Sequence, residues 1–172
     1  TLHASDKAAE HVGTYATQIT TDLDRRGSGQ ILKLMVCVDG SSSPLVASSF
    51  TFSTNGSTNA ATDIASATLY YTGATDTFST GTAFGLVSNP NGTFTISGTQ
   101  SLSHGHHYFW LAYTLERDAT TGDVVDAECS EIVLSEASVA PDTSAPTGSR
   151  AILAWAYPDI SADGSADYIT QV

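Results

Sequence analysis

Short apolar runs separated by turn-forming residues are the feature that most restricts how this chain can fold. Runs of four to eight apolar residues recur along it, with Gly, Ser, Asn and Asp between them. This pattern is typical of the strands and turns of a β-sandwich or barrel. The best helical stretch, Ser5 to His11, is short and lies at the start of the chain. With 172 residues, the chain is long enough to bury a sizeable core, and we expect an all-β domain of about eight strands.

Alternation within the runs predicts which side chains face the core. In a strand, successive side chains point to opposite faces, so the run Ile31 to Val38 has one apolar face and places Lys33 on the other. The apolar face consists of Leu32, Leu34, Val36 and Val38. The same rule separates Tyr70 from Leu69 and Tyr71. We therefore expect Tyr70 to lie on a face away from the core.

The stretch His107 to Leu115 is the most apolar part of the chain. Both of its faces are apolar, which favours a central strand that is covered on each side. Tyr108 and Trp110 share one of these faces, so both pack inward or both line a groove. We favour packing in the core.

Charge excludes two classes of function. The chain carries six Lys and Arg against eighteen Asp and Glu, for a net charge of −12. Binding to nucleic acid needs cations that displace counterions from phosphates, and an anionic membrane would repel this chain as well. No apolar stretch approaches the length of a membrane span.

The two cysteines, Cys37 and Cys129, leave two alternatives open. In an exported protein they can form one disulfide that closes a long loop. Alternatively, both are free thiols that act as small hydrophobic side chains. Neither belongs to a CxxC motif, which disfavours zinc or redox chemistry.

Composition divides the chain near residue 140. We predict a β-sandwich over residues 1–140, and a linker with the start of a following segment over residues 141–172. The linker is rich in Pro, Ser and Gly. Arg150 to Tyr157 is a further apolar run, which is either the last strand of this domain or the opening of the next one. Because the chain starts at Thr1 without Met or a leader, it is interpreted as a mature or excised segment.

From Ala16 to Arg150, the order and spacing of short blocks resemble the N-terminal accessory module of bacterial BNR-repeat sialidases, or neuraminidases. The strongest block is Ala-Thr-Leu-Tyr-Tyr-Thr-Gly over residues 67–73. The others are Ala16–Thr20, Arg26–Ser28, Gln30–Leu34, Ser43–Leu45, Ser49–Phe52, Thr77–Ser79, Phe84–Gly85, Gly92–Ile96, Tyr108–Tyr113, Val125–Cys129 and Pro146–Arg150.

This resemblance implies a jelly-roll-like antiparallel β-sandwich that acts as a carbohydrate-binding module. It further implies a C-terminal catalytic domain in a parent exo-α-sialidase, glycan partners that include sialylated or mucin-like chains, and a secreted or bacterial cell-surface location, with the periplasm as an alternative. The competing interpretation is a structural or adhesive spacer without a sugar site.

The chain itself is predicted to be non-catalytic. A sialidase needs a cluster of arginines around the sugar carboxylate, together with a nucleophile and an acid. Six cations spread along the chain make such a cluster hard to build. Ser161 to Ser165 begins like a propeller repeat box but lacks its order and its Trp. No Gly-x-Ser-x-Gly elbow supports a serine hydrolase either.

Two groups of side chains contain residue types that can bind a metal ion. His104, His106 and His107 lie within four residues, but no neighbouring Cys or carboxylate completes a set, so turn histidines are the favoured interpretation. The acidic runs match no EF-hand spacing and are interpreted as solvated loops. These runs are Asp159, Asp163, Gly164 and Asp167, and then Asp118, Asp123 and Asp126. We predict no cofactor, with a structural calcium ion as the open alternative.

Sugar binding relies on aromatic faces that stack on pyranose rings, with polar groups that fix the hydroxyls. Tyr70 is the best exposed candidate, and Tyr108 and Trp110 are the candidates that share a strand face. Arg25 and Arg26 are the only adjacent cations, and they could meet a sialate carboxylate. The predicted ligand-binding residues are therefore these five.

Overall fold

A computed structural model of the chain describes residues 7–160 and 166–170, with side chains for residues 7–155. Nearly all of its regular structure is strand, as the sequence predicts. The strands are β1 (Glu10–Gln18), β2 (Leu23–Asp24), β3 (Ser28–Asp39), β4 (Leu45–Ser53), β5 (Ile64–Tyr71), β6 (Ala83–Ser88), β7 (Thr93–Leu102), β8 (Gly105–Leu115), β9 (Val124–Val125), β10 (Glu128–Leu134), β11 (Ser138–Val139), β12 (Arg150–Leu153), β13 (Ala156–Ile160) and β14 (Ala166–Thr170). One helical turn, α1 (Ala60–Asp63), precedes β5.

Two antiparallel sheets form the sandwich. Their strand orders are β1-β3-β8-β5-β6 and β11-β10-β4-β7. The chain repeatedly crosses from one sheet to the other, from β3 to β4, from β4 to β5, and again at β6–β7 and β7–β8. Such crossing is typical of jelly-roll domains. The predicted antiparallel β-sandwich is confirmed, with nine described strands in its two main sheets where about eight were expected.

The space between the sheets, here called the interior, holds the apolar face that alternation predicts. Leu32, Leu34 and Val36 are fully buried there, and Val38 is nearly so. Aromatic rings fill the centre. The Phe50 ring lies 4.7 Å from that of Phe109, measured between centroids, which joins β4 in one sheet to β8 in the other. Phe50 and Phe52 also stack, as two residues on one strand face do.

The edge between β6 and β7 is closed by two glycines. A Cβ atom at Gly85 would lie 2.5 Å from the Ser97 carbonyl oxygen, and one at Gly98 would lie 2.3 Å from that of Phe84. No side chain fits at either position, so the two strands approach each other closely only because both residues are glycine.

A third, small sheet ties residues 150–153 to the sandwich. β12 pairs with β2 in parallel and with β9 in antiparallel orientation. The Arg150 side chain is buried and donates hydrogen bonds to three backbone carbonyls, those of Thr21, Asp22 (3.0 Å) and Gln30 (2.6 Å). The apolar run at 150 therefore begins as a strand of this domain, and Ile152 lies in its core. The domain boundary near residue 140 stays a prediction.

Two local expectations need correction. Of the stretch predicted to be helical, residues 7–11 form a bend, a bridge and the start of β1, because backbone pairing with β3 and the Ser41–Ser42 turn overrides a weak helical propensity. The strand predicted over Val124–Leu134 is interrupted, with a register shift after Cys129 where a bulge was expected.

The cysteines are free thiols. Cys37 lies on the face of β3 opposite Val36 and Val38, whereas Cys129 is buried in the interior. The sheet therefore separates the two side chains, and of the two alternatives the structure shows the reduced one.

Candidate functional site on the outer sheet face

The outer face is the side of the five-stranded sheet that points away from the interior. Strand register places its side chains in rows that cross the sheet. One row runs from Tyr15 through Met35 to Tyr108, and the next from Lys33 through Trp110 to Tyr70. Three of the five predicted ligand-binding residues, namely Tyr70, Tyr108 and Trp110, are thus brought together, but not in the core.

Residues 72–82, which connect β5 to β6, cover part of this face and are here called the β5–β6 loop. Phe78 of this loop places its ring edge-on to Tyr70 and Trp110, with centroids 5.7 and 5.9 Å apart. The Trp110 indole Nε1 donates a hydrogen bond to the Thr72 hydroxyl (3.0 Å). As a result Trp110 is 6% exposed, Tyr108 is 9% exposed, and Tyr70 is half-buried.

The Lys33 side chain lies over two aromatic rings of the outer face. Lys33 Nζ lies 5.7 Å from the centre of the Trp110 ring and 5.9 Å from that of Tyr108. It also donates to both carboxylate oxygens of Asp76, at 3.0 and 3.1 Å. The ion pair fastens the β5–β6 loop to β3 and neutralises the positive charge over the rings.

A narrow cavity of about 60 Å³ lies beside the aromatic rings. Tyr70, Phe78 and Ala112 are among the residues that line it. Ser28 and Thr114 also line it, and their hydroxyls are hydrogen-bonded to each other at 2.8 Å. Typical ligand pockets measure about 300–1,000 Å³, so this cavity cannot hold a sugar ring while the loop is in place.

Tyr15 is an outer-face aromatic residue that sequence reasoning missed. It is 47% exposed, and it lies on β1 directly opposite Met35. No local signal predicts its exposure, because that depends on the position of β1 at the edge of the sheet.

The two predicted arginines lie elsewhere. The Arg26 amide donates to the Glu116 carbonyl, and its guanidinium lies 6.0 Å from the Trp155 ring centre. Trp110 and Glu116 are six residues apart on or just past β8, which corresponds to about 20 Å at the rise of a strand. Arg26 therefore lies past the end of β8, apart from the row that contains Trp110 and Tyr70.

Of the three histidines, His104 lies in the connection between β7 and β8, as expected, and His107 is the exception. His107 is buried within β8, where its Nε2 bonds the Ser103 carbonyl and its Nδ1 bonds the Tyr71 hydroxyl, both at 2.7 Å. A carbonyl only accepts, so Nε2 carries the proton, and in the neutral ring Tyr71 donates to Nδ1. Burial raises the pKa of Tyr71. His104 instead lies exposed, 3.5 Å from Asp39.

The structure describes the side chains of one of the two acidic runs. The run from Asp159 to Asp167 falls outside the side chains that the structure describes. Asp123 accepts a hydrogen bond from the Asn59 amide, and Asp126 accepts one from the Ala127 backbone. Across residues 7–155, no three His, Cys, Asp or Glu side chains come together in a way that could hold a metal ion.

A larger depression of about 400 Å³ lies at one end of the sandwich. Hydroxyl, amide and small side chains of residues 53–62 and of Asn91 and Gly92 line it, without an aromatic ring. Two of its amides already donate to carboxylates, Asn55 to Glu128 and Asn59 to Asp123, each at 2.7 Å. The outer face is therefore the better candidate for stacking on a sugar.

Fold and surface together define an antiparallel β-sandwich domain that displays a partly covered aromatic sheet face. Residues 12–138 match the family described as the N-terminal domain of BNR-repeat neuraminidase. This match spans most of the chain, so the chain belongs to that family, and the resemblance identified from the sequence is confirmed.

One solved structure that the chain resembles is the Hadza microbial sialidase Hz136. The superposition has a TM-score of 0.60 at 17% sequence identity, and it covers 86% of this chain but 32% of that sialidase. At this identity the likeness concerns the fold alone, and this chain spans about a third of that sialidase's length. The search of curated proteins returned no match. No helix in the described part of the chain is long and apolar enough to span a membrane.

Proposed function

We propose that this domain is a non-catalytic carbohydrate-binding module of a secreted or surface-displayed bacterial sialidase, which it tethers to sialylated or mucin-like glycans. The observation that carries the proposal is the outer face, where Tyr15, Tyr70, Tyr108 and Trp110 share one side of a sheet. Aromatic side chains beside hydroxyl groups are the usual means of recognising sugars. Membership of a neuraminidase N-terminal family supports the parent activity.

In this proposal the role of each predicted residue follows from its exposure. Tyr70 is half-buried and offers part of its ring, while Trp110 and Tyr108 support it from beneath the loop. Arg25 and Arg26 would serve a separate contact to an anionic sugar farther along an extended glycan. A single site of this kind is weak, since a millimolar dissociation constant corresponds to only about 4 kcal/mol, but tethering raises the local concentration of substrate.

The test is calorimetric titration and glycan-array binding of the chain, using sialylated and mucin-type oligosaccharides. We expect weak binding that Tyr70→Ala reduces. Tyr71→Phe is the matched control, because it changes the neighbouring tyrosine, which packs against the core, and leaves the outer face intact. An absence of binding at millimolar sugar for the folded wild-type chain would contradict the proposal.

A second candidate function is that of a structural or adhesive spacer in a surface protein. The observation that favours it is the cover over the aromatic cluster, because Trp110 and Tyr108 are buried and the adjoining cavity measures only about 60 Å³. A spacer would show no sugar binding, whether or not Tyr70 is present.

The proposed parent activity has its own test. A fluorogenic sialoside should be hydrolysed by a longer protein that carries a catalytic domain after this one, and not by this chain. Turnover by the chain alone would contradict the non-catalytic assignment.

A further inference from the structure

We propose that Tyr15 is the stacking platform of the outer face, and that it takes a neutral pyranose rather than an acidic one. This inference rests on the proposed sugar-binding function and identifies the subsite and the chemical class of its ligand.

The first observation is the position of the Tyr15 ring. A Cβ atom built on Gly13 would lie 3.2 Å from both Cε2 and the hydroxyl oxygen of Tyr15, and 3.4 Å from Cζ. The outer end of the ring therefore lies over the Gly13 backbone, two residues earlier on the same strand face. Glycine at this position leaves room for the ring, because a methyl group here would lie in tight contact with its outer end.

The second observation is the exposure of the ring. At 47%, Tyr15 is among the most exposed large apolar side chains in the described part of the chain. The hydroxyl end of the ring approaches Gly13, and about half of the residue stays open to solvent. An exposed aromatic ring on a sheet face is a surface on which the C–H face of a pyranose can stack.

The third observation concerns charge. Two lysines lie near this surface, and carboxylates already engage both of them. Lys33 is held by Asp76 at 3.0 Å, and Lys7 pairs with Glu10 and with Asp39, the latter at 3.5 Å. Together these five groups carry a net charge of −1. The whole chain carries −12, so a sialate carboxylate would be repelled here, whereas a neutral sugar pays no such penalty.

The experiment measures retention of the full chain on two surfaces, one coated with mucin and one with the same mucin after its sialic acids have been removed. We expect retention to persist on the desialylated mucin, and free lactose to compete with it. Tyr15→Ala should reduce this retention at least tenfold, and Tyr15→Phe should preserve it because the ring remains.

Two exposed apolar residues provide matched controls. Val12 (56% exposed) lies on the same strand and Leu86 (58%) on the opposite edge strand of the sheet, so Val12→Ala and Leu86→Ala should leave retention unchanged. Thermal unfolding of each variant confirms that its fold is intact.

Each outcome is decisive. Binding that survives Tyr15→Ala, or that Val12→Ala reduces equally, overturns the platform but leaves the proposed function standing. Binding to the untreated mucin alone overturns the neutral class. A folded wild-type chain that binds neither surface contradicts the proposed function itself.

Discussion

The two faces of the five-stranded sheet are built from the same strands but are closed in different ways. The interior face is covered by a whole second sheet, so Phe109, Leu111 and Tyr113 are at most marginally exposed. The outer face is covered by a single loop, which buries Trp110 and leaves Tyr15 open. This difference shows that alternation fixes the face on which a side chain lies, whereas the covering element decides whether that side chain is available for binding.

The largest expected contrast between the two sides is in thiol reactivity. Burial raises the pKa of Cys129 to about 12, so at pH 8 only about one thiol in 10,000 is the reactive thiolate. Cys37 lies partly exposed on the outer face, and burial raises its pKa as well. Ellman's reagent should therefore label one thiol of the native protein and the second only after unfolding. Cys37→Ser should abolish the native reaction, and equal labelling of both native thiols would contradict the contrast.

A substitution in the interior should be the most destabilising one. The Phe109 ring lies 4.7 Å from that of Phe50, 4.9 Å from that of Tyr71 and 5.8 Å from that of Phe84. Phe109→Ala removes these contacts and leaves a cavity, which should lower the free energy of unfolding by about 3–5 kcal/mol. Urea denaturation measures the change, and Phe109→Leu, which fills most of the space, should cost less.

Truncating the aromatic side chain of the β5–β6 loop should lower the free energy of unfolding by less than Phe109→Ala does. Phe78 is half-buried and touches only Tyr70 and Trp110 among the aromatic rings of the described part of the chain. Phe78→Ala should lower the free energy of unfolding by about 1–2 kcal/mol, because a half-buried phenyl ring removes less area from water. A loss as large as that of Phe109→Ala would mean that the outer cluster is a second core rather than a covered surface.

The smallest effect is expected at the ion pair that fastens the loop. The Asp76 side chain is 48% exposed, and exposed pairs contribute about 0–1 kcal/mol. Asp76→Asn should therefore change the free energy of unfolding by less than about 1 kcal/mol, and salt should reduce the difference because it screens the charges. Asp118→Asn, at an exposed turn after β8, is the control, and a larger loss at Asp76 would show that the pair holds the loop closed.

The sequence predicted the sheet faces well because they depend on local alternation. Leu34 and Val36 were placed inside and Tyr70 outside from the order of residues alone. The same alternation puts Cys37 on the face of Lys33, a signal that could have excluded a disulfide to an interior thiol.

Features that depend on distant segments were not predictable in this way. Alternation places Tyr108 and Trp110 on one face, but nothing local shows that residues 72–82, rich in Thr, Ser and Gly, fold back over it. The proximity of Arg25 and Arg26 in sequence did not reveal that they lie at the far end of β8. Nothing local shows that the His107 side chain is buried, because its partner Tyr71 belongs to another strand.

The hydrogen bonds of the Arg150 side chain have a mechanical consequence. Its guanidinium donates to carbonyls that precede β2 and to one that follows it in the chain, and β12 lies between β2 and β9 in the small sheet. A pull applied beyond Leu153 would load this short ladder and its buried cation first, and would not peel a strand from the rim of either large sheet. Tension on the C-terminal side would thus enter the domain through the Arg150 hydrogen bonds and not through the aromatic surface.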